Sequence, residues 1–320
     1  MTTAAEDRPG NWEWAVCGAS VTGSQHLKHG LGCDDAYGYG VTGGLVVAAV
    51  ADGAGSVSGT SAWGSYVACQ SVLRNALRRG FRRSFAADPS RHPAQMRWLF
   101  EQALAQVRSR AAAMKLELPL LSTTLSVVVA DRRHAMFGQI GDGVIAVETE
   151  RGISTLLIEP KNEYANTTWF LQSDNAFQAS FRTRTLTGVT AFALSTDGMS
   201  YKITDIATGD AYAPFFRGSW QHVRAGYNSA HFASLLRGIA DDQTGDDKTM
   251  VLSALRWETD EFYPSARPAQ TVVIGSPAPD FTRNTRAQRR AGGHLRPPDR
   301  SARRTHTGHP GTTTAWQERE

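Results

Sequence analysis

At 320 residues, with 41% hydrophobic and 20% charged side chains, the chain has the make-up of a globular protein of about two domains, or one domain and a tail. Its longest apolar run, Leu45 to Ala51, is too short to cross a bilayer, and the opening Met-Thr-Thr-Ala-Ala-Glu-Asp lacks the basic and apolar regions of a secretion signal; no membrane association and a cytoplasmic location are expected. The formal charge of +4 is uneven: residues 281–320 hold nine Arg against Asp299, Glu318 and Glu320, a balance of +6, which leaves −2 for residues 1–280.

Taken in chain order, β-branched and apolar content predicts strands over Trp12–Ser20, Leu45–Ala51, Thr124–Ala130, His134–Ile140, Val144–Glu148, Thr190–Leu194 and Thr249–Leu255. Helical stripes predict helices over 60–79 (Tyr66, Cys69, Leu73, Leu77) and 94–116 (Met96, Leu99, Phe100, Ala103, Val107, Met114), with a shorter one over Ser229–Ala240. Arg78, Arg79, Arg82 and Arg83 are expected near a helix C-terminus, complementing its dipole. Strands in adjacent runs joined by tight turns, such as Asp131-Arg132-Arg133 and Gly141-Asp142-Gly143, point to antiparallel sheets with helices on their outer faces rather than βαβ units. The expected divisions are a flexible N-terminus over 1–11, a folded domain over 12–258, a linker or extra strand over 259–280 (Thr271–Ile274 being the candidate strand) and a disordered Arg-rich tail over 281–320. The tail reads first as a solvated terminus, and alternatively as a surface for nucleic acid or an acidic partner. Cys17, Cys33 and Cys69, with no C-x-x-C among them, argue against a disulfide framework or a cysteine zinc site.

Three times an apolar strand runs into Asp-Gly, at Asp52-Gly53, Asp142-Gly143 and Asp197-Gly198, and two further acidic pairs, Asp34-Asp35 and Asp246-Asp247, directly precede strand-like segments. Any one Asp-Gly alone is first of all a hairpin signal. Together they allow another reading, in which strand ends bring the carboxylates to one edge. Four carboxylates within about 5 Å would repel by roughly 3 kcal/mol per pair, about 20 kcal/mol in all, which exceeds the stability of a typical domain. Cations or protons must then relieve them, and an all-aspartate set favours Mg²⁺ or Mn²⁺ over zinc.

The segments Cys33-Asp34-Asp35, Val50-Ala51-Asp52-Gly53-Ala54-Gly55-Ser56, Ser122-Thr123-Thr124, Gly141-Asp142-Gly143, Leu194-Ser195-Thr196-Asp197-Gly198 and Asp246-Asp247-Lys248-Thr249 resemble, in order, the motifs of the metal-dependent type-2C protein serine/threonine phosphatases. The resemblance covers about residues 12–256, and Glu163-Tyr164-x-Asn166-x-Thr168-x-Phe170-Leu171 is similar to a stretch of a bacterial branch of that family. It implies an α+β fold, a four-layer sandwich of two antiparallel sheets flanked by helices, with two divalent ions at one end activating water for in-line attack on phosphorus. Carried over, Asp52 bridges both ions and Gly53 offers its carbonyl to one; Asp197 and Asp246 complete the other. Asp35, helped by Asp34, acts directly or through water, and Asp142 helps hold a weaker third ion. Mn²⁺ or Mg²⁺ is the implied cofactor, a phosphorylated protein the implied substrate, and a serine/threonine kinase acting in trans the implied counterpart.

The departures matter too. Where relatives often hold phosphate with an Arg, the matching region reads Ser24-Gln25-His26-Leu27-Lys28-His29, making His26 the candidate for the phosphate contact or for protonating the leaving alkoxide. Ala54 stands where many members have His, Tyr201 where the third-ion site usually has Asp, and Asp247 where Asn is commoner; Asp205 is a substitute candidate for the third ion, and Asp247 is expected to tighten the metals. These departures motivate the alternative of a weakly active or inactive module that binds metal or phosphoprotein as a regulator.

Overall fold

The computed structural model describes residues 12–54, 59–158, 168–205, 207–240, 244–257 and 271–275. In chain order the elements are β1 (Trp12–Val21), α1 (Ser24–Lys28), β2 (Ala36–Thr42), β3 (Leu45–Ala51), α2 (Ser61–Ala76), α3 (Arg79–Ala87), α4 (His92–Met114), β4 (Leu125–Ala130), β5 (His134–Ile140) and β6 (Val144–Thr149). They continue with β7 (Gly152–Leu156), α5 (Ala176–Ala179), β8 (Arg182–Thr187), β9 (Ala191–Ser195), α6 (Ser200–Ile203), α7 (Ala213–Arg224), α8 (Ser229–Gly238), β10 (Lys248–Trp257) and β11 (Thr271–Gly275). The N-terminus over 1–11, most of the 259–280 segment and the tail over 281–320 lie outside the described residues.

The strands form two wholly antiparallel sheets, a five-stranded one ordered β1-β10-β9-β6-β7 and a six-stranded one ordered β11-β2-β3-β4-β5-β8. Continuous apolar strands make sense here because both faces of each sheet are covered. On β3, Val46, Ala48 and Val50 enter the core between the sheets with Phe137, Phe192 and Val251, while Val47, Ala49 and Ala51 face a second core with Val72, Leu99 and Phe100 of α2 and α4. On β9 the same alternation sends Phe192 and Leu194 inward and Ala191 and Ala193 outward to Phe216 and Trp220 of α7 and Phe232 of α8. The result is helices, sheet, sheet, helices, the architecture expected from the sequence.

Two local expectations change. The helix expected over 60–79 is α2, which ends at Ala76; Arg78 is extended (φ −62°, ψ 139°), and a further helix that the sequence reading did not include, α3, starts at Arg79 and turns Phe85 into the core that α4 also covers. Arg78 and Arg79 follow directly on the C-terminal end of α2, as expected, while Arg82 and Arg83 stand in the first turns of α3 and not at a helix C-terminus. The Gly141-Asp142-Gly143 turn is not a hairpin either, because it carries the chain from β5 in one sheet to β6 in the other.

Candidate active site

The strand registers explain why distant acids meet. In the six-stranded sheet Ala36 pairs with Ala51 and Leu125 with Ile140, so the start of β2, the end of β3, the start of β4 and the end of β5 share one end. In the other sheet Val21 pairs with Lys248, Met250 with Ser195 and Val144 with Ser195, which aligns the end of β1, the start of β10, the end of β9 and the start of β6. The link from β5 to β6 brings these two ends together. Asp34-Asp35, Asp52, Asp142, Asp197 and Asp246 all sit at those strand ends.

The Asp-Gly pairs serve close approach rather than hairpin turns. A Cβ on Gly53 would lie 2.5 Å from the Asp34 carbonyl oxygen, and one on Gly198 would lie 1.9 Å from that of Asp247. Glycine at these two positions lets each acid-bearing loop press against another. The Asp52 loop is also fastened to Ser122-Thr123-Thr124: Thr124 N–H donates to the Asp52 carbonyl (2.8 Å), Ala54 N–H to Ser122 (3.0 Å) and Asp52 N–H to Thr124 Oγ1 (3.0 Å). This pairing flanks the Gly53–Thr123 bridge and turns the N–H and C=O of Gly53 the other way.

Crowding shows in the electrostatics. Burial pushes Asp35 and Asp52 well above the usual carboxylate range, reinforced for Asp35 by Asp247 and Asp246 and for Asp52 by Asp35, Asp197 and Asp246. Asp197 is pushed up to about 7 by burial, then by Asp142 and Asp246. Asp52 feels the charges of Asp35, Asp197 and Asp246 at once, a crowding that a proton or a cation would relieve. Thr196 Oγ1 donates to Asp35 Oδ2 (2.8 Å) and Thr168 Oγ1 to Asp142 Oδ2 (2.8 Å), while Asp142 Oδ1 is buried without a hydrogen-bond partner. Among the described residues no group of three His, Cys, Asp or Glu side chains is already disposed to hold one ion. The donor chemistry nonetheless fits a hard divalent cation: the oxygens are carboxylate, mutually repelling and in part unpartnered.

Asp34 and Asp247 behave differently. Asp34 Oδ2 accepts from Ser61 Oγ (2.6 Å) at the start of α2. Asp247, 2% exposed, accepts from Gly23 N–H at Oδ1 (2.7 Å) and, at Oδ2, from Asp34 N–H (2.6 Å) and His26 Nδ1 (2.9 Å). Burial works to raise Asp247, but these donors outweigh it and hold the carboxyl below its ordinary value. The bond to Asp247 raises His26 to about 9. Asp247 is thus wired into the protein, and this role, like those of Thr196 and Thr168, is one the sequence did not signal beyond their placement next to the acidic motifs.

A cleft of about 380 Å³ opens over the acids, lined by Gln25, His26, Asp52, Ala54, Thr168, Phe170, Thr244 and Asp246. Phe170 and Thr168 come from the Glu163–Leu171 stretch, of which residues 163–167 lie outside the described residues. Asp205, the substitute candidate for a third ion, accepts instead from Ala207 and Thr208 N–H at an exposed turn. The three cysteines are buried and burial raises their thiols, Cys17 to about 12, so none offers a ready thiolate. No helix among the described residues is long and apolar enough to cross a membrane.

Known proteins resemble this chain in sequence and in fold. Residues 22–237 match the family described as Protein phosphatase 2C. The Escherichia coli (strain K12) protein named serine/threonine-protein phosphatase 3 is 25% identical over 256 residues, covering 75% of this chain and 98% of that protein. The S. agalactiae serine/threonine phosphatase shares the fold with a TM-score of 0.52 at 11% identity, over 75% of this chain and 99% of that one. So does the catalytic domain of the serine threonine protein phosphatase PstP in complex with 2 manganese ions, at TM-score 0.50 and 14% identity over 77% of this chain and all (100%) of that one. With two helix-flanked antiparallel sheets and a match spanning most of its length, this chain belongs to the protein phosphatase 2C family.

Proposed function

We propose that the chain hydrolyses phosphoserine and phosphothreonine esters in proteins with two divalent ions, Mn²⁺ or Mg²⁺, and that it opposes a serine/threonine kinase acting in trans in the cytoplasm. The observation that carries this reading is the meeting of Asp35, Asp52, Asp197 and Asp246, drawn from both sheets, beneath one cleft.

Asp52 would bridge the ions, with the Gly53 carbonyl turned away from the Thr123 pairing completing one of them and Asp197 and Asp246 the other. Asp35, steadied by Thr196, and Asp34 would act directly or through water, and Asp142 would hold a third, weaker ion. When bound, the ions supply Lewis-acid stabilisation of charge on the phosphoryl oxygens and a water acidic enough to attack near neutral pH. The chain's own residues do the rest. The Ser122–Thr124 segment fixes Asp52, the close packing at Gly53 and Gly198 fixes the spacing of the loops, and the cleft would admit a phosphorylated side chain with Phe170 at its wall. His26, which lines the cleft, would contact phosphate or protonate the leaving alkoxide.

The test is manganese-dependent release of phosphate from a phosphothreonine peptide. It should vanish in Asp52→Ala while the far-ultraviolet circular dichroism stays native. A folded, metal-loaded wild-type protein without turnover would defeat the proposal and favour the regulatory module.

A further inference from the structure

We infer that Asp247 is a positioning residue that ties back His26 Nδ1 and turns Nε2 into the cleft, from where His26 protonates the leaving oxygen of the phosphate ester. The inference rests on the hydrolase reading above and deepens it by choosing between the two roles open to His26.

Three observations carry it. The first is the bond between His26 Nδ1 and Asp247 Oδ2 at 2.9 Å: both Asp247 oxygens already accept backbone N–H groups, Oδ1 from Gly23 and Oδ2 from Asp34, so with the carboxylate as acceptor Nδ1 is the donor, and Nε2 is the ring nitrogen left for the cleft that His26 lines. The second is how firmly Asp247 is held. Its other oxygen accepts from Gly23, the residue just before α1, which carries His26, and Oδ2 also accepts from Asp34 N–H. One buried carboxylate therefore sets both the helix that bears the imidazole and the ring's orientation on it, the arrangement by which a buried acid orients a histidine in acid–base catalysis.

The third observation concerns the other side chains that line the cleft among the described residues. Ala54 has no proton to donate; Gln25 Nε2 is engaged with the Thr244 carbonyl (2.6 Å), and the Thr168 hydroxyl with Asp142. Among the described residues lining the cleft, His26 alone brings an imidazole N–H. The side chain is 14% exposed, open enough to meet substrate and closed enough to hold its angle. As water oxygen bonds to phosphorus, the bond from phosphorus to the seryl or threonyl oxygen breaks with its electron pair kept on that oxygen. The proton on Nε2 passes to it, giving the free hydroxyl and a neutral imidazole that regains a proton from solvent.

The experiment compares two leaving groups in three variants, His26→Gln, Asp247→Asn and the double variant. A phosphoserine peptide expels an alkoxide that needs the proton; p-nitrophenyl phosphate expels a phenolate that needs it far less. His26→Gln should lower kcat on the peptide by about 10²-fold, the usual range for a lost general acid, and by at least about tenfold more than on the aryl phosphate. Asp247→Asn should show the same bias, and the double variant should be no worse than His26→Gln on that ratio, since both act through one proton. In metal-free protein, ¹⁵N spectra of the imidazoles should place a proton on His26 Nδ1 in the wild type and lose that preference in Asp247→Asn. Equal losses on both substrates, an additive double variant, or a neutral His26 protonated only at Nε2 would each overturn the inference. If Asp247→Asn does not fold, His26→Gln still decides the leaving-group bias, because it leaves the Gly23 and Asp34 bonds to Asp247 in place. A wild type that turns over neither substrate overturns the hydrolase reading instead, and the spectra then still test the positioning.

Discussion

Two sets of acids share one end of the sandwich and are separated in the chain by a single peptide bond, between Asp246 and Asp247. Asp35, Asp52 and Asp197 lie against one another with hydroxyl donors too few to balance them, and their carboxyls are pushed up by burial and by their neighbours. Asp247 is as buried, yet two backbone N–H groups and an imidazole hold its carboxyl down. Burial alone therefore does not decide what an aspartate does; the supply of donors from the protein does. Where the protein withholds them, the acid is left for a cation, and where it supplies them, the acid becomes part of the framework.

The sharpest way to break this contrast is to neutralise one member of the first set. Asp52→Asn should cost several kcal/mol of transition-state stabilisation, about 10³-fold in kcat/KM, by removing the oxygen common to both proposed ions. The same change should raise the melting temperature of the metal-free protein by a few degrees, because it removes a charge that others repel. Kinetics and thermal melts in chelator check the two halves, and a destabilised metal-free variant would contradict the account of Asp52 as uncompensated.

Asp247→Ala should do the opposite. It strands the Gly23 and Asp34 N–H groups and His26 in buried surroundings, with an expected loss of about 3 kcal/mol in unfolding free energy, measured by urea titration of metal-free protein. A loss confined to metal affinity, with no change in the urea midpoint, would move Asp247 into the first set.

The contrast also fixes a pH dependence. Groups whose folded pKa is raised contribute stability below their unfolded value near 3.8 and lose it as pH rises through the folded one, so Asp35, Asp52 and Asp197 (about 7) should make the metal-free protein less stable from about pH 4 to beyond 7. His26, raised to about 9, keeps its contribution up to the unfolded value near 6.5 and loses it on passing 9. The Asp247 contribution runs the other way and is lost only in acid, below 3.8. Manganese replaces the protons on the first set, so the rise in melting temperature on adding it should be small at pH 5 and several degrees at pH 8. A shift independent of pH would mean that the crowded carboxyls are not where the ion binds.

Much of this was legible because long apolar strands run into their acids without interruption, as in Leu45–Ala51 before Asp52 and Ala191–Ser195 shortly before Asp197. What escaped has physical reasons. β2 carries Gly38 and Gly40, which count against a strand locally but are needed where Leu73 of α2 and Leu77 just beyond its end press on it. β8, Arg-Thr-Arg-Thr-Leu-Thr, is an edge strand with little apolar content to show. The clamp on Asp247 joins Gly23, His26 and Asp34 to a residue more than two hundred positions away, and no local pattern encodes such a meeting. The acids themselves announce a site, but the donors that separate ligand from framework are backbone groups that every residue possesses.

The smallest effect expected falls between the two sets, at Asp142. One of its oxygens has a protein donor, Thr168 Oγ1, and the other is buried with none, so it is half framework and half ligand. Thr168→Val removes the donor while keeping the shape. If the free oxygen is the one that matters to a weak third ion, the loss of about 1 kcal/mol of support should raise the manganese concentration needed for half-maximal turnover by about fivefold, leaving kcat at saturation near wild type. An effect as large as that of Asp52→Asn would place Asp142 fully among the uncompensated acids, and none at all would place it with Asp247.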